Sequence, residues 1–183
     1  MPPNNSLERA AQLNCWAAQH AFGDTLLVGD RGFALNFEID DFSPRHQERA
    51  AELINAGLGE HFGIADPTQN PDLFDIASSY RGGCFLVAIA EESVVGTGAL
   101  IVEAEFVARI VRMHTDKRFR RSGVATRMIS ELESRAIERG FKEVVLDTGK
   151  AWHDAIGFYL SKGYREIGRN EYGVRFHKVL GAA

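Results

Sequence analysis

The sequence predicts an α/β (α+β) fold in which helices flank a mixed, mostly antiparallel sheet that contains one parallel strand pair. Three strand-length apolar runs follow one another between Cys84 and Thr115, separated by short polar connections of hairpin length. An amphipathic helix is predicted from Val124 to Arg139, and the apolar run Glu143 to Thr148 comes directly after it. A strand, a helix and a second strand in succession predict a parallel pair with a right-handed crossover.

The length of 183 residues fits one domain with a short extension. Residues 1–32 are predicted to be an N-terminal extension, with a helix that begins at Ser6 and runs toward His20. The apolar runs Thr25 to Val28 and Phe33 to Ile39 form either a hairpin or a lead-in to the first core strand. The main domain is predicted to cover residues 33–183.

The remaining elements follow from apolar periodicity. After Pro44, the spacing of Ala50, Leu53, Ile54 and Leu58 predicts an amphipathic helix, and a short helix is predicted between Asn70 and Tyr80. The three central strands are predicted at Cys84 to Ala90, Val94 to Val102 and Phe106 to Thr115. Beyond the parallel pair we expect a helix from Asp154 to Lys162 and two late strands, Tyr164 to Gly168 and Val174 to Leu180.

Composition excludes several classes of protein. The net charge of −4 argues against a general coat for nucleic acid or a membrane surface. The two cysteines, Cys15 and Cys84, have no metal-ligand or redox spacing, and we expect them to be reduced and intracellular. No apolar run approaches the roughly 20 residues needed to cross a bilayer. A cytoplasmic location without nucleic-acid or membrane partners, and without a metal, is therefore expected.

The segment from Lys117 to Thr126 carries the clearest chemical signal. It joins a strand to a helix, so unpaired backbone N–H groups and the positive end of the helix dipole meet there. Gly123 allows close approach to the backbone, and Ser122, Ala125 and Thr126 are small. The pattern G-x-x-x-x-G-K-[ST] of a nucleotide triphosphate loop is missing. The basic run Lys117 to Arg121 reads alternatively as a solvated loop or a nucleic-acid patch, but a diphosphate fits its flanks better.

The segment R-M-H-T-D-K-R-F-R-R-S-G-V-A-T, followed by a helix, resembles the cofactor motif [RQ]-x-x-G-x-[GA] of the GNAT superfamily of N-acetyltransferases. The order of elements from about Phe37 to Leu180 is similar to that fold, and Lys117 departs from a proline common in the family. The resemblance implies acetyl-coenzyme A as the acetyl donor. It implies that its pyrophosphate is held by backbone amides around Gly123 and its pantetheine arm by the strand before them. The implied contact residues are Met113, His114, Thr115, Arg120, Arg121, Ser122, Gly123, Val124, Ala125 and Thr126.

A second stretch, A-W-H-D-A-I-G-F-Y-L-S-K-G-Y, resembles the last helix of that family through Ala155, Tyr159, Gly163 and Tyr164. In the family this tyrosine protonates the departing thiolate, and we therefore predict Tyr159 as the general acid. The alternative is that Tyr159 only packs in the core. Trp152 stands where many members have asparagine. Either His153 or Asp154 substitutes for that asparagine, or the cofactor contact is absent; Asp154 is more simply predicted to be a helix N-cap.

The resemblance implies direct transfer of an acetyl group from acetyl-coenzyme A to a primary amine, without a covalent enzyme intermediate, by an N-acetyltransferase domain. Glu103, Glu105, His114 and Asp147 are candidate bases, of which His114 lies nearest the oxygen-binding strand segment. The acceptor is a small-molecule or peptide amine, contacted from Pro44 to Tyr80 and from Arg169 to Gly173. The rival interpretation is a non-catalytic acyl-coenzyme A sensor or partner-binding module. The oligomeric state is left open, a homodimer included.

Overall fold

The computed structural model describes residues 36–63 and 66–181. The predicted extension at 1–32, its helix from Ser6 to His20 and the run Thr25 to Val28 all lie outside the described residues. Within the described part, the first core strand begins at Glu38, later than predicted. The two residues before it, Asn36 and Phe37, are not part of a strand.

The described strands form one seven-stranded sheet in the order β1-β2-β3-β4-β5-β7-β6. Only β4 and β5 pair in parallel, and all other neighbours are antiparallel. The predicted fold class is confirmed. The strands are β1 (Glu38–Asp41), β2 (Cys84–Ala90), β3 (Ser93–Ala104), β4 (Val107–Thr115), β5 (Glu143–Gly149), β6 (Arg165–Arg169) and β7 (Gly173–Val179).

The described helices are α1 (Gln47–Phe62), α2 (Ile76–Ser79), α3 (Val124–Glu138) and α4 (His153–Ser161). The single short helix predicted between Asn70 and Tyr80 is instead split into a 3-10 turn, Pro71–Leu73, and α2. Asp75 explains the break, because it lies between them and its carboxylate accepts a hydrogen bond from the Ser78 N–H, which caps a new helix.

Strand β2 is buried on both of its faces, which explains why its sequence is apolar throughout. Phe85 and Val87 pack into one cluster with Leu53 and Ile54 of α1. Leu86 and its same-face neighbours pack into a second cluster that contains the buried residues of α3. Successive side chains of a strand point to opposite faces, so a strand covered on both sides has no polar alternation.

Two glycines in β3 bring α3 close to the sheet. A Cβ atom at Gly96 would lie 2.6 Å from the Val124 side chain, and one at Gly98 would lie 2.9 Å from those of Met128 and Leu132. Side chains at these two positions would push the helix away. The start of α3 is therefore seated directly on β3, beside the end of β4.

Candidate active site

The parallel pair opens into a cleft. Strands β4 and β5 are paired at only three positions, from Val107 opposite Glu143 to Arg109 opposite Val145, and they diverge beyond them. A cavity of about 540 Å³ follows this divergence. Its wall includes Arg109, Ile110, Val111, Arg112, Met113 and His114 of β4, Asp147 and Thr148 of β5, Trp152, Ala155 and Tyr159 around α4, and Leu58, Asp72, Ser79 and Tyr80 on the opposite side.

A β-bulge lies in the part of β4 that borders the cleft. Thr97 pairs with His114 and Ala99 with Val111, so two residues, Arg112 and Met113, face the single residue between them on β3. Arg112 has φ of 56°, a left-handed conformation that is costly for a residue with a side chain. The hydroxyl of the buried Thr97 donates a 2.8 Å hydrogen bond to the Arg112 carbonyl, which fixes the bulge from within the sheet.

The predicted cofactor loop directly follows this strand. Arg121 and Gly123 both have positive φ, of 62° and 91°, and Gly123 is the N-cap residue of α3. No side chain caps this end of the helix, so the first amides of α3 lack partners from a cap. Val124 is buried and can contribute only its backbone, while Ser122 donates its hydroxyl to the Phe119 carbonyl. The backbone of this turn has the geometry of an anion cradle.

The basic side chains of the loop are largely neutralised by carboxylates. Glu60 of α1 accepts a 2.7 Å bond from Arg120 and lies 3.2 Å from the Lys117 ammonium. Arg118 pairs with the carboxylate of Asp116 at 3.2 Å. Burial alone would raise the pKa of Glu60, but the hydrogen bonds from Arg120 and Lys117 outweigh it and lower that pKa. Arg121 is the residue of the run that has no carboxylate partner within the described ranges.

Tyr159 lines the cleft from the side of α4, as the sequence analysis requires of a proton donor. Only 7% of its surface is exposed, and its ring is in edge contact with Phe158 and Tyr164. Burial raises the pKa of the Tyr159 phenol well above its ordinary value, so the hydroxyl keeps its proton at neutral pH. The packing role and the acid role are therefore compatible in this residue.

Trp152 lies between β5 and α4, on the wall of the cleft. A Cβ atom at Gly149 would lie 2.7 Å from the indole nitrogen, so the ring packs directly against the backbone at the end of β5. Trp152 itself is the N-cap residue of α4, and no side chain caps that helix. The prediction that Asp154 is the N-cap is wrong. Its carboxylate accepts from the adjacent Ala155 N–H inside the first turn.

The four candidate bases do not all lie at the cleft. The Glu103 carboxylate is bound bidentately by Arg109, which also contacts Asp147. The hydrogen bonds from Arg109 hold the pKa of Glu103 at about 2. Of the four candidates, only His114 and Asp147 line the cleft. Glu105 lies in the turn between β3 and β4. The His114 ring occupies the space that a side chain at position 57 of α1 would need.

A second cavity, of about 620 Å³, adjoins the first. The two share Asp147, Thr148 and Trp152, so Trp152 stands where they meet. The outer wall of the second cavity is the turn between β6 and β7, with the 80% exposed Tyr172. Two arginines, Arg169 and Arg175, also line it.

The described residues contain no group of three or more histidine, cysteine or acidic side chains arranged to hold a metal ion. No helix in the same residues is long and apolar enough to cross a membrane.

Sequence comparison places the chain that forms this cleft in a known family. The profile of the Acetyltransferase (GNAT) family matches residues 48–164, and the chain belongs to that family. Human N-acetyltransferase 8 is 36% identical over 117 residues, which cover 60% of this chain and 52% of that protein. Human N-acetylaspartate synthetase is 32% identical over 107 residues, which cover 56% and 35% respectively. The chain thus spans about half the length, or less, of these relatives.

Structure comparison agrees on the fold. An acetyltransferase of the GNAT family from Staphylococcus aureus Mu50 superposes with a TM-score of 0.74 at 24% identity, covering 80% of this chain and all of that one. The PaiA N-acetyltransferase from Thermoplasma acidophilum, solved in complex with coenzyme A, gives a TM-score of 0.66 at 16% identity and covers 79% and 99% of the two chains.

Proposed function

We propose that this protein transfers an acetyl group from acetyl-coenzyme A to a primary amine by direct attack within the cleft. The observation that carries the proposal is the juxtaposition of three features along one path. These are the separated ends of β4 and β5, the uncapped start of α3, and Tyr159 on the α4 side of the cleft. Membership of the GNAT family supports the same activity.

Acetyl-coenzyme A would supply an activated acetyl group on a sulfur that leaves as a thiolate. The residues present fit it, because the uncapped amides of Val124 to Thr126 suit a pyrophosphate and the strand edge from Met113 to Thr115 suits an amide-containing arm. We assign the phosphate contacts to backbone amides from Arg121 to Thr126, with Arg120 braced by Glu60. Arg121 is the side chain of the loop best able to add a charge contact.

In the proposed reaction the acceptor nitrogen forms a C–N bond to the acetyl carbon, and the C–S bond breaks. Negative charge develops on the acetyl oxygen, and a backbone N–H of the β4 bulge is suited to stabilise it. Tyr159 donates its proton to the leaving sulfur, and the proton lost by the amine restores it through solvent. His114 and Asp147 are the titratable candidates on the cleft wall that could accept the proton of the amine.

We place the acceptor in the second cavity, with its amine reaching past Trp152 toward Tyr159. This cavity opens at the β6–β7 turn and joins the first at the indole. One relative carries the name N-acetylaspartate synthetase, so amines that bear carboxylates belong in any acceptor screen. The guanidinium groups of Arg169 and Arg175 are positive charges that attract the carboxylate of such an acceptor, although each already contacts a glutamate.

The test is release of coenzyme A thiol from acetyl-coenzyme A over a panel of amino acids, polyamines, aminoglycosides and peptides. With an accepted amine, Tyr159→Phe should lower kcat on the order of tenfold to a thousandfold and leave the Kd for acetyl-coenzyme A nearly unchanged. Tyr164→Phe is the matched control, because its hydroxyl bonds Glu133 outside the cleft. It should keep the wild-type kcat.

Equal rates for Tyr159→Phe and the wild type would remove Tyr159 from the mechanism. Tight binding of acetyl-coenzyme A without thiol release for any amine would instead establish the rival function, a non-catalytic sensor or partner-binding module. The cytoplasmic location, the absence of nucleic-acid and membrane partners, the domain boundary at residue 33 and a homodimer stay predictions.

A further inference from the structure

A partly buried polar network joins the β4 bulge to the facing wall of the cleft. The Arg112 guanidinium binds Asp72 through two hydrogen bonds, Nε to Oδ2 at 2.9 Å and Nη2 to Oδ1 at 2.6 Å. Its Nη1 donates to Asn70 Oδ1 at 3.0 Å. The Tyr80 hydroxyl donates to Asp72 Oδ2 at 2.5 Å. The network thus connects residues 40 positions apart and leaves few of its polar groups to solvent.

The charged forms of Arg112 and Asp72 are favoured by their contact with each other. Burial disfavours the charged forms of both Arg112 and Asp72, yet their mutual hydrogen bonds raise the pKa of the arginine and lower that of the carboxyl. Burial, and then the bond to Asp72, raises the pKa of Tyr80 to about 12. About a quarter or less of each charged side chain is exposed, at 20% for Arg112 and 26% for Asp72. Two-point contacts of this kind also restrict orientation.

The position of Arg112 gives the network its importance. It is the bulge residue with φ of 56°, a conformation that persists only where the surroundings impose it. Thr97 holds its carbonyl from one side, and Asp72 holds its guanidinium from the other. Asp72 and Tyr80 belong to the segment that forms the opposite wall of the cleft. One ion pair therefore joins the β4 side of the cleft to the segment that contains Asp72 and Tyr80.

We propose that Arg112 and Asp72 form a positioning clamp that fixes the β4 bulge and the wall from Asn70 to Tyr80 at one separation across the cleft. Neither residue is a catalytic residue in this inference, which rests on the proposed function. The clamp holds the backbone of Met113 and His114 where the acetyl oxygen is stabilised, and it sets the width of the first cavity, which the acceptor amine enters past Trp152. Without the Arg112–Asp72 ion pair, that backbone is misplaced, while the backbone amides proposed to bind the pyrophosphate stay in position.

The main test is Asp72→Asn, which keeps the shape of the side chain but removes its charge. We expect kcat to fall about tenfold to a hundredfold, as for a small misplacement of reacting groups, with the Kd for acetyl-coenzyme A changed less than about threefold. Asp75→Asn is the matched control, since that carboxylate lies in the same segment and caps α2 without contacting β4. It should retain the wild-type kcat.

A second variant separates the side chain from the backbone strain. Glycine adopts positive φ freely, so Arg112→Gly relaxes the bulge while removing the guanidinium. The clamp predicts a loss of kcat for Arg112→Gly as well. If that variant does not fold, Asp72→Asn carries the test by itself.

Two further readouts do not depend on turnover. In the free protein, amide hydrogen exchange of residues 70–80 and 112–114 should accelerate together in Asp72→Asn and stay at wild-type rates over 112–114 in Asp75→Asn. With bound acetyl-coenzyme A labelled with 13C at the carbonyl, the thioester stretching frequency should move toward its value in solution only in Asp72→Asn. That shift reports on the oxygen contact directly.

The outcomes are distinct. Wild-type turnover and an unshifted carbonyl frequency in Asp72→Asn would overturn the clamp and leave the proposed function intact. Equal losses of kcat in Asp72→Asn and Asp75→Asn would also overturn it, because a general loosening of the segment would then suffice. No thiol release by the wild type with any amine would overturn the proposed function, and this inference with it.

Discussion

At the scale of single residues, Gly123 shows how backbone conformation and function meet. Its φ is 91°, and a Cβ atom there would touch nothing within 4 Å. Glycine is therefore required by the turn and not by crowding within the protein. The cationic neighbours Lys117 and Arg120 share Glu60, so the loop presents mainly backbone amides to a phosphate. The sequence motif predicts the site, although the carboxylate partners of its cations are invisible in it.

We predict that Gly123→Val raises the Kd for acetyl-coenzyme A at least about tenfold, more than Arg121→Ala does. Gly140→Val is the control, because Gly140 has φ of 84° and equally open space at the other end of α3. Both valine variants should lose roughly 1–2 kcal/mol of unfolding free energy. Isothermal titration calorimetry and urea unfolding measure the two effects. A larger rise in Kd for Arg121→Ala would make side-chain charge the basis of binding.

At the scale of elements, the seating of α3 on β3 determines where the proposed phosphate cradle lies. A Cβ atom at Gly98 would crowd the Met113 sulfur together with the side chains of Met128 and Leu132. The same contact explains why the bulge residue Met113 packs toward the core while Arg112 reaches across the cleft. The sequence indicates both α3 and β4 by their periodicity. It carries no signal for the bulge, which is a property of the pairing between two strands.

We predict that Gly98→Val lowers the unfolding free energy by about 1–3 kcal/mol, because overpacking forces α3 and the bulge to move. It should also weaken acetyl-coenzyme A binding, since the start of α3 shifts with the helix. Gly168→Ala, in the edge strand β6 with nothing within 4 Å, should leave stability within about 0.5–1 kcal/mol of wild type. Urea unfolding compares the two variants. An unchanged midpoint for Gly98→Val would contradict this account of the packing.

At the scale of the whole molecule, an ion network ties together strands that are distant in sequence. Glu103 of β3 binds Arg109 of β4 and Arg175 of β7, and Arg109 also contacts Asp147 of β5. Two of its members, Arg109 and Asp147, line the cleft. The network therefore links the stability of the sheet to pH through the Glu103 carboxyl, whose pKa the arginine contacts hold at about 2.

A carboxyl whose pKa is depressed on folding stabilises the native state above its ordinary pKa. For Glu103 that contribution should be fully present above pH 4.5 and should disappear as the pH falls through about 2. We expect Glu103→Gln to be less stable than the wild type by on the order of 1 kcal/mol at pH 6. The difference should shrink toward pH 2. Urea unfolding across this range measures it, and a constant difference would contradict the assignment.

The sequence by itself determined the class of fold, the central strands and helices, and the two motifs that mark the site. These are local properties, because period, glycine position and polar breaks appear within a few residues of each other. The tertiary structure alone decided the separation of β4 and β5, the pairing of Arg120 with Glu60, and the ion pair between Arg112 and Asp72. Each of these joins residues far apart in the chain. Such contacts depend on how whole elements pack, which no local pattern in a single sequence encodes.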